Sequence, residues 1–263
     1  MQTVAELVKL DDVSMAYGRG AQAVRAVQGV SLSVNKGEFI AVVGPSGCGK
    51  SSLMKLISGL HAPESGTLTI EGKAVSGPLP SVGMAFQNSN LLPWRNAVDN
   101  VLLPLEIVQP HRARMRSERT RYRDKATQLL NAVGLTGFTE KFPWELSGGM
   151  QQRTSICRAL IHEPEILMLD EPFGALDAFT REELWCTLRD IQAQRHVTVM
   201  LVTHDLREAV FLADTVYVMS NRPGRILKRC EVNIARPRDL EVTYTQPFQD
   251  IVHELRSLIG GKH

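Results

Sequence analysis

The sequence predicts an α/β fold with a mostly parallel sheet, an N-terminal antiparallel β portion and an inserted helical subdomain. Three observations predict it. Runs such as FIAVV (39–43), EILMLD (165–170) and VTVMLV (197–202) are short and apolar, as in strands buried on both faces. They alternate with segments of helical spacing, such as TREELWCTLRDIQAQR (180–195) and LREAVFLA (206–213), as strand and crossover-helix units do. Between them, AVDNVLLPLEIV and KATQLLNAVGL carry the longer apolar spacing of helices.

Along the chain, LVKLDDV, GVSLSV, FIAVVG, GTLTI and VGMAFQ are strand-like and are separated by Gly, Pro and Asn signals. Residues 88–160 then form the helical insertion. The core resumes at 161 with EILMLD, VTVMLVTH and DTVYVMS, so 1–87 and 161–263 make one α/β core within a single 1–263 domain. The tail PFQDIVHELRSLIG is predicted to be a short amphipathic helix.

Composition narrows the function. The 263 residues carry 30 Lys plus Arg against 28 Asp plus Glu, and a net charge of +2 makes no electrostatic case for a nucleic-acid partner. The apolar runs are far shorter than the ~20 residues that cross a bilayer. The start MQTVAELVKLDDV carries acids and no basic-then-apolar leader pattern. Cys48, Cys157, Cys186 and Cys230 are scattered as reduced thiols would be, without disulfide or metal spacing.

FIAVVGPSGCGKSSLMKLISGL (39–60) places an apolar strand before Gly44 and an amphipathic helix after Lys50, the pattern of a phosphate loop and of a phosphate-loop NTPase core. Its residues Gly44, Pro45, Ser46, Gly47, Cys48, Gly49, Lys50, Ser51 and Ser52 are the predicted nucleotide-binding set. Glycines let main-chain N–H groups turn toward phosphates, and the helix N-terminus adds its positive end. Lys50 reaches the outer phosphates, and the Ser51 hydroxyl can join the shell of a Mg²⁺ ion. Cys48 is a small loop residue rather than a nucleophile, having no activating base beside it in sequence.

Asp170 and Glu171 should emerge at the end of a buried strand. Asp170 would hold Mg²⁺ through its shell, while Glu171 would orient or deprotonate attacking water. His204 ends another apolar strand. Alone it would pass for a structural histidine, but beside the other strand ends it falls on the rim where parallel sheets bind ligands.

GPSGCGKSS, LSGGMQQR (146–153), ILMLDEP, ALD and VTHD occur in the order and approximate spacing of the ATP-binding cassette ATPases, which the chain resembles over nearly its whole length. LSGGMQQR is similar to the family's signature. The resemblance implies a head-to-tail dimer in which the phosphate loop of one subunit and Ser147, Gly148 and Gly149 of a second copy enclose each ATP. It implies that Gln87 contacts Mg²⁺ and water and joins two subdomains, that Tyr17 stacks on adenine, and that Asp177 in GALD lies in a loop crossing the dimer interface. The catalytic set is then Glu171, His204 and Gln87, and the metal set Ser51, Gln87 and Asp170. Gly174 stands where the family often has Ser, so no hydroxyl contact is expected there. Asn88, Ser89 and Asn90 form a polar loop without assigned contacts.

Leu91, Leu92, Pro93 and Trp94 follow Gln87 as an apolar loop, and an exposed Trp there suggests a partner surface. The resemblance implies a groove for a short cytoplasmic helix of a membrane permease. LLPWRNAVDNVLLPLE, GALDAFTREELW and NRPGRI are similar to the ATPases of bacterial importers for nitrate, taurine and aliphatic sulfonates. This implies a peripheral place on the cytoplasmic face of the plasma membrane, beneath permease subunits fed by a separate solute-binding protein. A soluble cassette ATPase of translation or DNA repair is the alternative, but neither a tandem cassette nor a long coiled-coil insertion is visible. A phosphate-loop kinase is disfavoured by the signature and His204. The six arginines of HRARMRSERTRYR (111–123) form a solvated helical face, with Glu118 and Asp124 as partners.

Overall fold

In a computed structural model, residues 6–18, 20–174 and 176–260 are described. The first five residues of the stretch searched for a leader, Ala175 of GALD and residues 261–263 lie outside them. The elements run β1 (Glu6–Tyr17), β2 (Val24–Asn35), β3 (Phe39–Val43), α1 (Lys50–Ile57), β4 (Ser65–Ile70), β5 (Lys73–Ala74), β6 (Val82–Ala85), α2 (Ala97–Leu102) and α3 (His111–Arg114). They continue α4 (Arg119–Ala132), α5 (Gly148–Leu160), β7 (Ile166–Asp170), α6 (Ala178–Arg195), β8 (Thr198–Thr203), α7 (Leu206–Leu212), β9 (Thr215–Met219), β10 (Ile226–Glu231) and α8 (Gln246–Gly260). Contacts divide the chain into two compact units, Met1–Leu79 with His196–His263 and Pro80–Arg195.

In the first unit, β1, β2, β4 and β5 form an antiparallel sheet in the order β2-β1-β4-β5, as predicted for the N-terminal part. β1 buries Leu7, Val8, Leu10, Val13 and Met15 and leaves polar residues between them outward, so one face is solvated. A second group of strands runs β10-β9-β3-β8, with β3 parallel to both β8 and β9 and β10 antiparallel to β9. All five residues of β3 are fully buried, which explains the uninterrupted apolar run. Each such Val or Ile contributes about 1.5–3 kcal/mol relative to exposure. α8 is amphipathic as predicted and buries Phe248 and Leu255, seven residues apart on one face.

In the second unit, β6 and β7 pair in parallel, from Val82 opposite Ile166 to Ala85 opposite Leu169. Helices α2, α4 and α5 bury Val98, Val101, Leu129, Leu130, Ile156 and Leu160 into one core. Gly83 lets α5 approach β6: a Cβ there would overlap the Ala159 carbonyl oxygen. The apolar run 97–108 is helical only to Leu102 and continues as a 3-10 turn over Leu103–Glu106, since Pro104 has no N–H for an α-helical bond. The arginine-rich stretch likewise breaks between α3 and α4. Glu118 pairs with Arg121 at 3.0 Å, as expected. Arg123 instead finds Asp99 at 3.2 Å and Glu140 at 2.5 Å, and no ion pair to Asp124 occurs among the described residues.

None of the four cysteines forms a disulfide among the described residues, and burial pushes the Cys157 thiol up to about 12. No described helix is long and apolar enough to cross a membrane.

Candidate active site

The phosphate loop leaves β3 at Gly44 and enters α1 at Lys50. Gly47 (φ +74°) and Gly49 (φ +111°) adopt backbone conformations that side chains resist, and a Cβ on Gly49 would stand 2.6 Å from the Ala26 carbonyl oxygen. Glycine there is required by both conformation and contact. Gly49 also caps α1 without a side-chain acceptor, and the helix N-terminus that follows it carries the positive end of the helix dipole. Lys50, 5 % exposed, donates its Nζ to the carbonyls of Gly44 (2.9 Å) and Pro45 (3.0 Å) within the loop. Main-chain N–H groups, an ammonium and the Ser51 and Ser52 hydroxyls make a donor set suited to phosphate oxygens. Burial raises the Cys48 thiol despite nearby Lys50, as suits an inert loop residue.

Tyr17, at the end of β1, meets the Ser52 Oγ through its hydroxyl at 3.2 Å and packs edge-on against His61 with ring centroids 5.5 Å apart. His204 follows β8 and is exposed. Thr203 pairs with Val43 across the parallel ladder, so Gly44 and His204 leave neighbouring strands at the same carboxyl edge. That edge is where open α/β sheets bind ligands. The His204 loop is held from below. The Thr203 hydroxyl donates to the buried Glu208 carboxylate, and its oxygen accepts the Asp205 N–H at 3.0 Å. Asp205 in turn caps α7 through the N–H groups of Arg207 and Glu208.

The second unit repeats the arrangement. Ala85 pairs with Leu169, so Gln87 and the Asp170–Glu171 pair leave neighbouring parallel strands at the same end. Glu171 has φ +46°, a left-handed backbone uncommon for a residue with a side chain. Such strain concentrates at functional positions. A Cβ on Gly174 would lie 3.6 Å from Gln87 Nε2, an ordinary contact, so no steric demand calls for glycine there. Asp177 accepts the Thr180 N–H at 3.1 Å, and that bond holds its carboxyl below the usual range.

Ser147 caps α5, its Oγ accepting the Met150 N–H at 3.3 Å, and both Ser147 and Gly148 are exposed. A Cβ on Gly149 would crowd Thr180 Cγ2 at 2.9 Å. The chain on both sides of Gln87 acquires contacts, including those of Ser89 and Asn90 that sequence could not assign. Gln152 donates to the Phe86 carbonyl at 2.9 Å, Arg158 to those of Ser89 (2.6 Å) and Asn90 (2.8 Å), and the Ser89 hydroxyl to Gln151 Oε1 at 3.2 Å. Gln151, Gln152 and Arg158 therefore tie this loop to the signature helix across a recess of about 330 Å³ lined by Gln87–Asn90, Gly148 and Pro172. Their neighbours in sequence hinted at none of this, although QQR following a glycine pair marked polar residues inside a half-buried helix.

Trp94 is 71 % exposed. The turn that presents it is built on Asn100, which is fully buried and bonds Leu92, Arg95 and Asn96 main-chain groups. Arg95 closes the turn with two bonds of 2.9 Å to Glu106.

Residues 27–174 match the family model described as ABC transporter. The chain is 43 % identical over 223 residues to the aliphatic sulfonates import ATP-binding protein SsuB of Bacillus licheniformis, covering 85 % of this chain and 84 % of that protein. It is 45 % identical over 223 residues to the nitrate import ATP-binding protein NrtD of Synechococcus elongatus, covering 84 % and 80 %. A solved ATP-binding cassette, dimeric and in a post-hydrolysis state bound to ADP and Pi, superposes with a TM-score of 0.73 at 30 % identity, covering 87 % of this chain and all of that one.

Proposed function

Because the chain belongs to the ABC transporter family and is an ATPase of that family, we propose that it energises a bacterial importer of small anions such as nitrate, taurine or aliphatic sulfonates. The observation that carries the composite-site reading is the exposed N-terminus of α5, where Ser147 and Gly148 face away from their own core. A second copy of the chain would close on that terminus head to tail, each ATP lying between one phosphate loop and the other copy's Ser147, Gly148 and Gly149.

Within that dimer, Lys50 and the N–H groups of the loop bind and orient the phosphates, and Tyr17 stacks on the adenine. Ser51, Asp170 and Gln87 would hold Mg²⁺, which when bound neutralises charge on the phosphate oxygens. Glu171 receives a proton from the attacking water, and His204 steadies the terminal phosphate from the strand edge. Residues 88–160 act as the signature-bearing subdomain. Trp94 and the recess after Gln87 would receive a permease helix at the cytoplasmic face of the plasma membrane, with a solute-binding protein on the far side choosing the anion. ATP-driven closure then shifts that surface and biases a two-state permease.

The test is affinity capture from detergent-solubilised membranes using tagged Glu171→Gln protein and ATP. A multi-span permease is the expected partner. Ribosomal or DNA-repair proteins without a membrane partner would refute the importer reading and favour the soluble class.

A further inference from the structure

We infer that Gly224, in the turn between β9 and β10, is a positioning residue that sets the shape of the phosphate loop. The inference rests on taking Gly44–Ser52 as the site of the nucleotide's phosphates. Gly224 does not have a positive φ, so its lack of a side chain answers a contact rather than a turn. A Cβ there would overlap the Cys48 carbonyl oxygen and come within 2.5 Å of Met219 Cε. The Met219 side chain can rotate away. The Cys48 carbonyl can yield only if the phosphate loop moves.

The turn is fastened in that position. The Gly224 N–H donates to the Ala26 carbonyl at 2.9 Å, and its own carbonyl accepts the Gln28 N–H at 2.9 Å. The same Ala26 oxygen is the atom that a Cβ on Gly49 would meet at 2.6 Å. At the other end of the loop, a Cβ on Gly44 would lie 2.9 Å from the Met219 carbonyl oxygen. Gly44, Cys48 and Gly49 are thus seated main chain against main chain, on β2 and on the turn that Gly224 completes. Ser220 keeps the turn closed, its Oγ donating to the Asn221 carbonyl at 2.8 Å and accepting the Arg225 N–H at 3.0 Å. With no side chain in between, any displacement of the turn passes directly to the N–H groups that would hold phosphate, and errors on that scale are costly to binding and rate.

Mg-ATP affinity by calorimetry and nucleotide-free melting temperature, measured together on the full chain, separate positioning from mere structural support. Gly224→Ala is expected to weaken ATP binding by about tenfold or more. Gly83→Ala, whose Cβ would strike the Ala159 carbonyl in the other unit, should lower the melting temperature and leave affinity at the parental value. Gly77→Ala, with nothing within 4 Å of its Cβ and no positive φ, should change neither. Parental affinity in Gly224→Ala, whatever its melting temperature, overturns the inference. Should that variant fail to fold, Ser220→Ala decides: a roughly threefold weaker affinity supports the brace, and parental affinity overturns it. Lys50→Ala is the check on the premise, since undiminished ATP binding there would sink the phosphate-loop assignment itself rather than the brace.

Discussion

Replacing Asn100 by alanine should loosen the turn that carries Trp94 by about 2–3 kcal/mol. Asn100 is fully buried; its Oδ1 accepts the Leu92 N–H at 2.7 Å, and its Nδ2 donates to the carbonyls of Leu92 (3.1 Å), Arg95 (2.9 Å) and Asn96 (3.1 Å). Two amide hydrogens shared among three acceptors, plus one accepted bond, amount to about three hydrogen bonds at ~1 kcal/mol each. The half-buried positions of Leu92, Arg95 and Asn96 let water recover part of the loss, which sets the lower end. In thermal melting the second unit should unfold about 6–12 °C earlier. Amide exchange at Leu92 should accelerate, because its only described acceptor is gone. Mg-ATP affinity should stay at the parental value, since Asn100 bonds Leu92, Arg95 and Asn96 and none of these is assigned to the nucleotide or its metal, while co-purification with the permease declines. A melting temperature within about 1 °C of the parent would refute Asn100 as the keystone of the turn. Permease capture at full yield, despite a loosened turn, would refute the role given to Trp94.

Glu171→Gln should slow ATP hydrolysis by about 10²–10⁴-fold while leaving ATP affinity intact, and hydrolysis at the parental rate would remove Glu171 from the proton-accepting role. Ser147→Arg should abolish the ATP-dependent dimer in light scattering yet preserve ATP binding by the monomer; a monomer that no longer binds ATP would argue against a site completed by a second copy. Burial, with the His111 and Lys125 charges adding to it, pushes the His162 imidazole below its ordinary 6.5. The unfolded chain therefore binds more protons as pH falls through about 6.5, and the second unit loses stability toward the lower folded value. His162→Gln should flatten that loss as the pH falls below about 6.5, and an unchanged slope in acid melting would exclude His162 as its source.

Much of this molecule follows from local pattern. A strand buried on both faces has no polar face to present, so the continuous runs at 39–43, 166–169 and 199–202 announce parallel strands. Gly47 and Gly49 need conformations that few other residues tolerate, and the strand–loop–helix around them was legible for that reason. Signature, acid pair and histidine were visible as residue types at fixed spacing, and this sufficed to place the chain in its family.

The sequence by itself thus determined the α/β class, the order of strands and helices and the kinship of the chain, because each depends on periodicity or on residues close together in the chain. Only the tertiary structure decided which main-chain carbonyls distant residues meet. Gly224 lies 176 residues from Cys48 and Arg158 lies 68 from Asn90, while the burial of the carboxylate that Thr203 reaches is recorded by no local pattern. In the first two pairs the partner is a carbonyl oxygen. Every residue carries one, so no residue type marks the carbonyl that will be chosen, and the choice is made by the path of the folded chain.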